Sequence, residues 1–209
     1  MASQKATPLT PRFAPSVINY HDSKCLVVSG EHPVDSERLK SVDIYDFEDD
    51  TWTHGPDVVQ ARKYLSGCCH GSYAFIFGGI VSNGTILNSM ERLNVDQWLE
   101  KGNLVSWETL NLTSKQDMIC PRVGSAVTSF NSSQILLFGG SDGNCFQSDG
   151  YAVDAETGEI QQIFNMTGGF FSKAYCVSSF SNQTIRAQAG LVKAIVVDKN
   201  FVVQTVSYR

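Results

Sequence analysis

Tyr73-Ala74-Phe75-Ile76-Phe77-Gly78-Gly79 is an apolar run that stops at a glycine pair, and Gln134-Ile135-Leu136-Leu137-Phe138-Gly139-Gly140 repeats it. An apolar run of this length, bounded by turn residues, reads as a strand buried on both faces. Paired glycines at its end suit a chain that turns sharply with another backbone packed beside it. A strand that recurs with the same punctuation is one part of a repeat.

Working outward, residues 24–29 (KCLVVS) followed by Gly30 give a third instance, with Ser29 in the first glycine's place, and residues 184–190 give a worn fourth. Gly30 to Gly79 is 49 residues, Gly79 to Gly140 is 61 and Gly140 to Gly190 is 50. Each unit has a short strand ahead of the run (16–20, 64–70, 124–130, 174–180). A loop, an alternating strand (41–47, 90–95, 150–154, 193–198) and a last strand follow it (51–53, 105–110, 159–163, 201–206). The alternation has the period of half-buried strands. Nowhere is it helical over a useful length, so almost no α-helix is expected, and residues 96–104 read as an inserted bulge. Residues 1–14 read as an extended or irregular lead-in to an all-β domain over 15–209, with units at 15–55, 56–113, 114–166 and 167–209.

Composition narrows the function classes. The chain of 209 residues is 42% hydrophobic and 18% charged, with net charge −5 and pI near 5.3. That balance argues against nucleic acid or an anionic membrane as partner. No apolar segment approaches the roughly 20 residues needed to cross a bilayer. The opening residues MASQKATPLTPR lack the apolar stretch of a signal peptide, so a cytoplasmic setting is expected. Five Asn-x-Ser/Thr triplets, at Asn83, Asn111, Asn131, Asn165 and Asn182, then read as products of composition. The six cysteines show no C-x-x-C spacing, and Cys68, Cys69 and His70 are consecutive strand residues that cannot converge on one ion. No metal and no cofactor is expected.

A strand ending in Gly78-Gly79 or Gly139-Gly140, a loop, an aromatic-bearing strand (Tyr45), an acidic turn and a tryptophan strand (Trp52, Trp107) together resemble the kelch repeat. The kelch period is about 50 residues. Arg62 and Arg122 stand 16 and 17 residues before their glycine pairs, matching the family's arginine at the head of the inner strand. The resemblance implies a β-propeller of about four four-stranded antiparallel blades, with the two tryptophans filling the gaps between blades. Kelch rings usually close with about five to seven blades, so four imply part of a longer propeller, a ring completed by a partner or second copy, or a true four-blade ring, of which the first two are favoured.

The resemblance further implies a non-enzymatic scaffold for protein partners. The loops at 80–88 and 141–147, with Asn83, Asp142 and Asn144, plus Arg62 and Arg122, form a candidate rim for an acidic or polar segment. The alternative for the arginines is to order the blade through backbone hydrogen bonds. Two other functions fit a scaffold of this kind: a fixed subunit of a large, cytoskeletal assembly, and an enzyme resembling kelch-like sugar oxidases or sialic acid isomerases. An oxidase needs paired histidines at copper, whereas His21, His32, His54 and His70 are scattered over the first two units. No catalytic residue is expected.

Overall fold

The computed structural model describes residues 7–114 and 118–163 with their side chains, and residues 164–165 and four later strands as backbone. The chain is all-β and built from four-stranded antiparallel sheets in simple up-and-down order. The first sheet holds β1 (Ser16–Tyr20), β2 (Lys24–Val28), β3 (Val42–Asp46) and β4 (Thr51–Gly55). The second holds β5 (Ser66–His70), β6 (Tyr73–Phe77), β7 (Met90–Asn94) and β8 (Glu108–Leu110). The third holds β9 (Ala126–Ser129), β10 (Gln134–Phe138), β11 (Asp149–Asp154) and β12 (Ile160–Asn165). The fourth, as backbone, holds β13 (Ala174–Phe180), β14 (Thr184–Ala189), β15 (Lys193–Val197) and β16 (Val203–Ser207). The first strands β1, β5, β9 and β13 lie side by side in that order.

The unbroken apolar runs are explained by two-sided burial. Successive strand residues point to opposite faces. In β6, Ala74 and Ile76 therefore join Ile18, Leu26, Val28 and Ile44 in a core between the first and second sheets. Phe75 and Phe77 turn the other way and pack with Ile135, Leu137 and Val153 of the third sheet. Every one of these side chains is buried, so no position of the run can be polar. Cys68 and Cys69 divide between the same two cores, as neighbours in a strand must.

Trp107 lies just ahead of β8 and is 3% exposed in the core between the first two sheets. Trp52 is half-buried, with its ring 5.0 Å from that of Tyr45 and Tyr45 in turn 5.2 Å from Phe47. The inserted bulge is a correction: residues 95–101 form the helix α1 (Val95–Lys101), followed by a 3₁₀ turn at Gly102–Leu104. Asn94 caps it by accepting the Gln97 N–H at 2.9 Å, Asp96 and Lys101 sit at the ends that suit their charges, and Gly102 ends it at φ +59°. At seven residues it is too short to show an apolar stripe, which is why alternation alone misses it.

Candidate functional site

Each of the first three sheets is tied to its lead-in by the same buried cluster. In the second unit Arg62 is 0% exposed; its Nε donates to the Gln60 carbonyl (3.0 Å), its Nη1 to the Gly78 carbonyl (3.0 Å), and its Nη2 pairs with Glu91. Arg122 does the same with the Cys120 carbonyl (3.0 Å), the Gly139 carbonyl (3.2 Å) and Asp149 (2.6 Å). Arg12 completes the series with the carbonyls of Thr10 (3.3 Å) and Ser29 (3.1 Å) and with Asp43 (2.7 Å). The described part of the lead-in carries no strand, yet from Thr10 onward it is anchored by this cluster. Arg12 was legible: Pro11-Arg12 matches Pro121-Arg122, and Arg12 stands 17 residues before Ser29.

Burial pulls the Arg62 guanidinium below its usual pKa and the Glu91 charge opposes that shift. Burial pushes the Asp149 carboxyl up, but hydrogen bonds from Arg122 and Tyr151, with the Arg122 charge, hold it below the usual range. Fully enclosed and paired, Arg62 and Arg122 present no donor to a partner. They leave the candidate rim for the interior, where they join backbone to backbone.

The glycine pairs carry the junction to the next sheet. Gly79 donates its N–H to the Arg122 carbonyl (3.0 Å), as Gly30 does to that of Arg62 (2.8 Å). Ser29 adopts φ +58°, close to the +65° of Gly78 and Gly139, and its Oγ donates to the Arg62 carbonyl at 2.8 Å. Its side chain fits because the oxygen a methyl would strike becomes an acceptor.

The heads of β1, β5 and β9 surround a cavity of about 670 Å³ at the end of the sheets that carries the glycine pairs. Pro15, Leu65, Val123 and Val127 give it apolar walls, with hydroxyls from Ser16, Ser66 and Ser125. Tyr64 donates its N–H to the Ala14 carbonyl (3.1 Å), and Gly124 donates to the Tyr64 carbonyl (3.0 Å), so the three heads are joined in series. All three residues sit at positive φ: +51° for Ala14, +55° for Tyr64 and +63° for Gly124. A tyrosine there is strained, whereas a glycine is not.

Two aromatic residues line this mouth, Tyr64, 40% exposed, and Phe146, 48%, and Phe13, 53% exposed, stands beside Tyr64. Tyr64 meets Phe13 edge-on at 6.0 Å, and the Lys63 ammonium lies 5.2 Å from the Tyr64 centroid and 6.0 Å from that of Phe13. Lys63 pairs with Glu31 at 2.7 Å and shares that carboxylate with Arg38, so the cluster keeps a net positive charge. The hydrogen bond from Lys63, together with Arg38, holds the Glu31 carboxyl below its ordinary range.

The loops bearing Asn83, Asp142 and Asn144 are pinned by isolated bridges, Lys63 with Ile80 and Ile80 with Ile86, then Val123 with Ser141 and Ser141 with Phe146. Asn83 accepts the Thr85 N–H (3.0 Å), and Asp142 accepts those of Asn144 and Cys145 (both 2.8 Å), turning their oxygens inward to their own loops. The structure brings the 141–147 loop to the mouth through Ser141 and Phe146, places no residue of the 80–88 loop in its lining, and adds Tyr64 and Ser125, which no local pattern marks.

At the opposite end of the sheets, His70 Nδ1 lies 2.8 Å from Ser129 Oγ and ties β5 to β9. Burial pushes the His70 pKa down, partly offset by a hydrogen bond to the Ser132 backbone and by the Asp154 charge. A histidine whose folded pKa is depressed binds protons more readily in the unfolded chain. Its contribution is complete above about pH 6.5 and is lost as pH falls through that value toward the folded pKa. Urea unfolding between about pH 7.5 and 5.5 is expected to show a decline below about 1 kcal/mol that His70→Gln removes. Among the described residues, no three or more His, Cys, Asp or Glu side chains gather as a metal centre requires, and no helix is long and apolar enough to cross a membrane.

No protein-family model matches the chain, and no curated protein matches it.

Proposed function

We propose that the chain is a kelch-like β-propeller, complete or completed by a further chain, and that it serves as a non-enzymatic scaffold for a protein partner. Three observations support the propeller: the roughly 50-residue unit, the row of inner strands, and the threefold arginine–carboxylate–glycine junction. Such repeats place function on the loops of one face. The observation that carries the binding role is the mouth itself, a cavity of about 670 Å³ lined by the part-exposed rings of Tyr64 and Phe146, with Phe13 packed against Tyr64. Aromatic residues that stay exposed beside a concave apolar surface are the usual anchors of an interface.

A photocrosslinking phenylalanine analogue tests this directly. Placed at Phe146, beside the mouth, it is expected to give a covalent protein adduct in cells. Placed at Leu104, 89% exposed and following α1 at the end of the second sheet away from the glycine pairs, it is expected to give none. Adducts from Leu104 alone, or from neither position, overturn the reading.

A further inference from the structure

Five Asn-x-Ser/Thr triplets have no part in the scaffold, and composition supplies fewer. Ser and Thr occupy 35 of 209 positions, so chance places one of them two residues after about two of the 11 asparagines; five have one. The triplet is the acceptor pattern for N-linked sugar, which is bulky and needs an exposed asparagine. Asn165 and Asn182 lie outside the residues described with side chains. The surroundings of the other three sort them.

Asn83 and Asn111 are exposed, and so are Thr85 and Thr113, which carry the hydroxyls of the two triplets. Asn83 stands in the loop after β6. Its Oδ1 accepts the Thr85 N–H at 3.0 Å, and its Nδ2 has no hydrogen-bond partner among the described residues. Between them Gly84 has nothing within 4 Å of an added Cβ, so this triplet opens onto free space. Asn111 directly follows β8. Leu112 packs against the core of the second and third sheets, and the backbone of Thr113 bonds Gly158 (3.0 Å) and Ile160 (2.8 Å), which fixes the triplet while Asn111 stays exposed. Both lie at the end of the second sheet that carries the glycine pair, outside the cavity lining.

Asn131 is different. It is half-buried in the turn between β9 and β10, where its Oδ1 accepts the N–H groups of Ser133 and Gln134 (both 2.9 Å). Its Nδ2, the atom that would carry sugar, already donates to Gln134 Oε1 at 2.7 Å.

We propose that Asn83 and Asn111 are acceptors for N-linked oligosaccharide and that Asn131 is not. The co-reactant is an oligosaccharide held on a polyprenyl pyrophosphate. The asparagine Nδ2 bonds the anomeric carbon, the bond from that carbon to phosphate breaks, the pyrophosphate leaves with its electron pair, and the amide loses one proton. This goes beyond the scaffold reading and does not rest on it. It places the domain on the lumenal or outer side of a membrane, against the cytoplasmic setting that the opening residues suggest and that the five described cysteines, all free, would suit.

The test uses the chain recovered from the cells that make it, digested with an amidase that releases N-linked sugar and leaves aspartate at each occupied site. Loss of mass on digestion is expected, with positions 83 and 111 converted to aspartate and position 131 unchanged. Asn83→Gln and Asn111→Gln are each expected to remove one step in gel mobility. Thr85→Ala is expected to remove the same step as Asn83→Gln, because the hydroxyl belongs to the acceptor, and Thr85→Ser to keep it. A mass that digestion leaves unchanged overturns the proposal, as does sugar at Asn131 or a bare Asn83 or Asn111. The scaffold reading is decided separately, by crosslinking at Phe146.

Discussion

Gly78→Ala is expected to lower folding stability by about 3 kcal/mol or more, read from the urea midpoint. Two effects combine. Gly78 sits at φ +65°, where a residue with a Cβ loses about 1–2 kcal/mol. The added methyl also falls on the Arg122 carbonyl oxygen, well under the 3.0 Å that real Cβ atoms keep. That oxygen is backbone and cannot swing aside. It is also the acceptor for the Gly79 N–H, which joins the second sheet to the third. Relieving the overlap parts the two sheets over the core that holds Phe75, Phe77, Ile135 and Leu137. Overpacking of this kind typically adds about 1–3 kcal/mol. Gly84→Ala isolates the backbone share, since Gly84 has φ +87° with nothing within 4 Å of an added Cβ. It is expected to cost no more than about 2 kcal/mol. Equal losses in the two variants would mean that the contact with Arg122 does not hold the sheets together.

How much of this was legible in sequence depends on whether the signal is local. The apolar runs at 74–77 and 135–138 specify strands because a sheet packed on both faces admits no polar alternate, and that pattern is complete within five residues. The four-stranded sheets follow from it, since each run is preceded by a strand joined through a tight turn and followed, after a longer loop, by another that pairs with its other edge. The helix α1 is legible only from its caps, Asn94 and Gly102, because seven residues make no amphipathic stripe. Arg12 repeats a local signature, Pro-Arg, but stands in a polar stretch whose first strand comes later. The identity of the arginines' partners is not local at all: Glu91 lies 29 residues from Arg62 and Asp149 lies 27 from Arg122. A surface arginine and an enclosed one look alike until the chain has closed around them. The mouth is least legible. Phe13, Tyr64 and Phe146 are 51 and 82 residues apart, and only the stacking of successive sheets brings them together.

Glu91→Ala is expected to be as damaging as any change in the chain, about 3–5 kcal/mol by urea unfolding. The carboxylate is 1% exposed and pairs with an arginine that is 0% exposed. It also accepts the N–H groups of Val59 (2.8 Å) and Gln60 (3.2 Å), fixing the lead-in of the second unit. Removing it strands a buried guanidinium and two backbone donors. The paired replacement Arg62→Met with Glu91→Leu distinguishes what the pair is for. A buried ion pair exchanged for apolar residues of similar volume is often neutral or stabilising, because the desolvation of two charges disappears. Here the exchange also deprives the carbonyls of Gln60 and Gly78 of their donor. Each orphaned buried backbone group costs about 1–3 kcal/mol. The double variant is therefore expected to remain destabilised by about 2 kcal/mol or more. Recovery to the parent stability would mean that Arg62 serves only to neutralise Glu91. Persistent loss identifies the Arg62–Glu91 pair as the link between lead-in, glycine turn and third strand. That link recurs at Arg12 and Arg122, so the same deficit is expected wherever the junction is replaced.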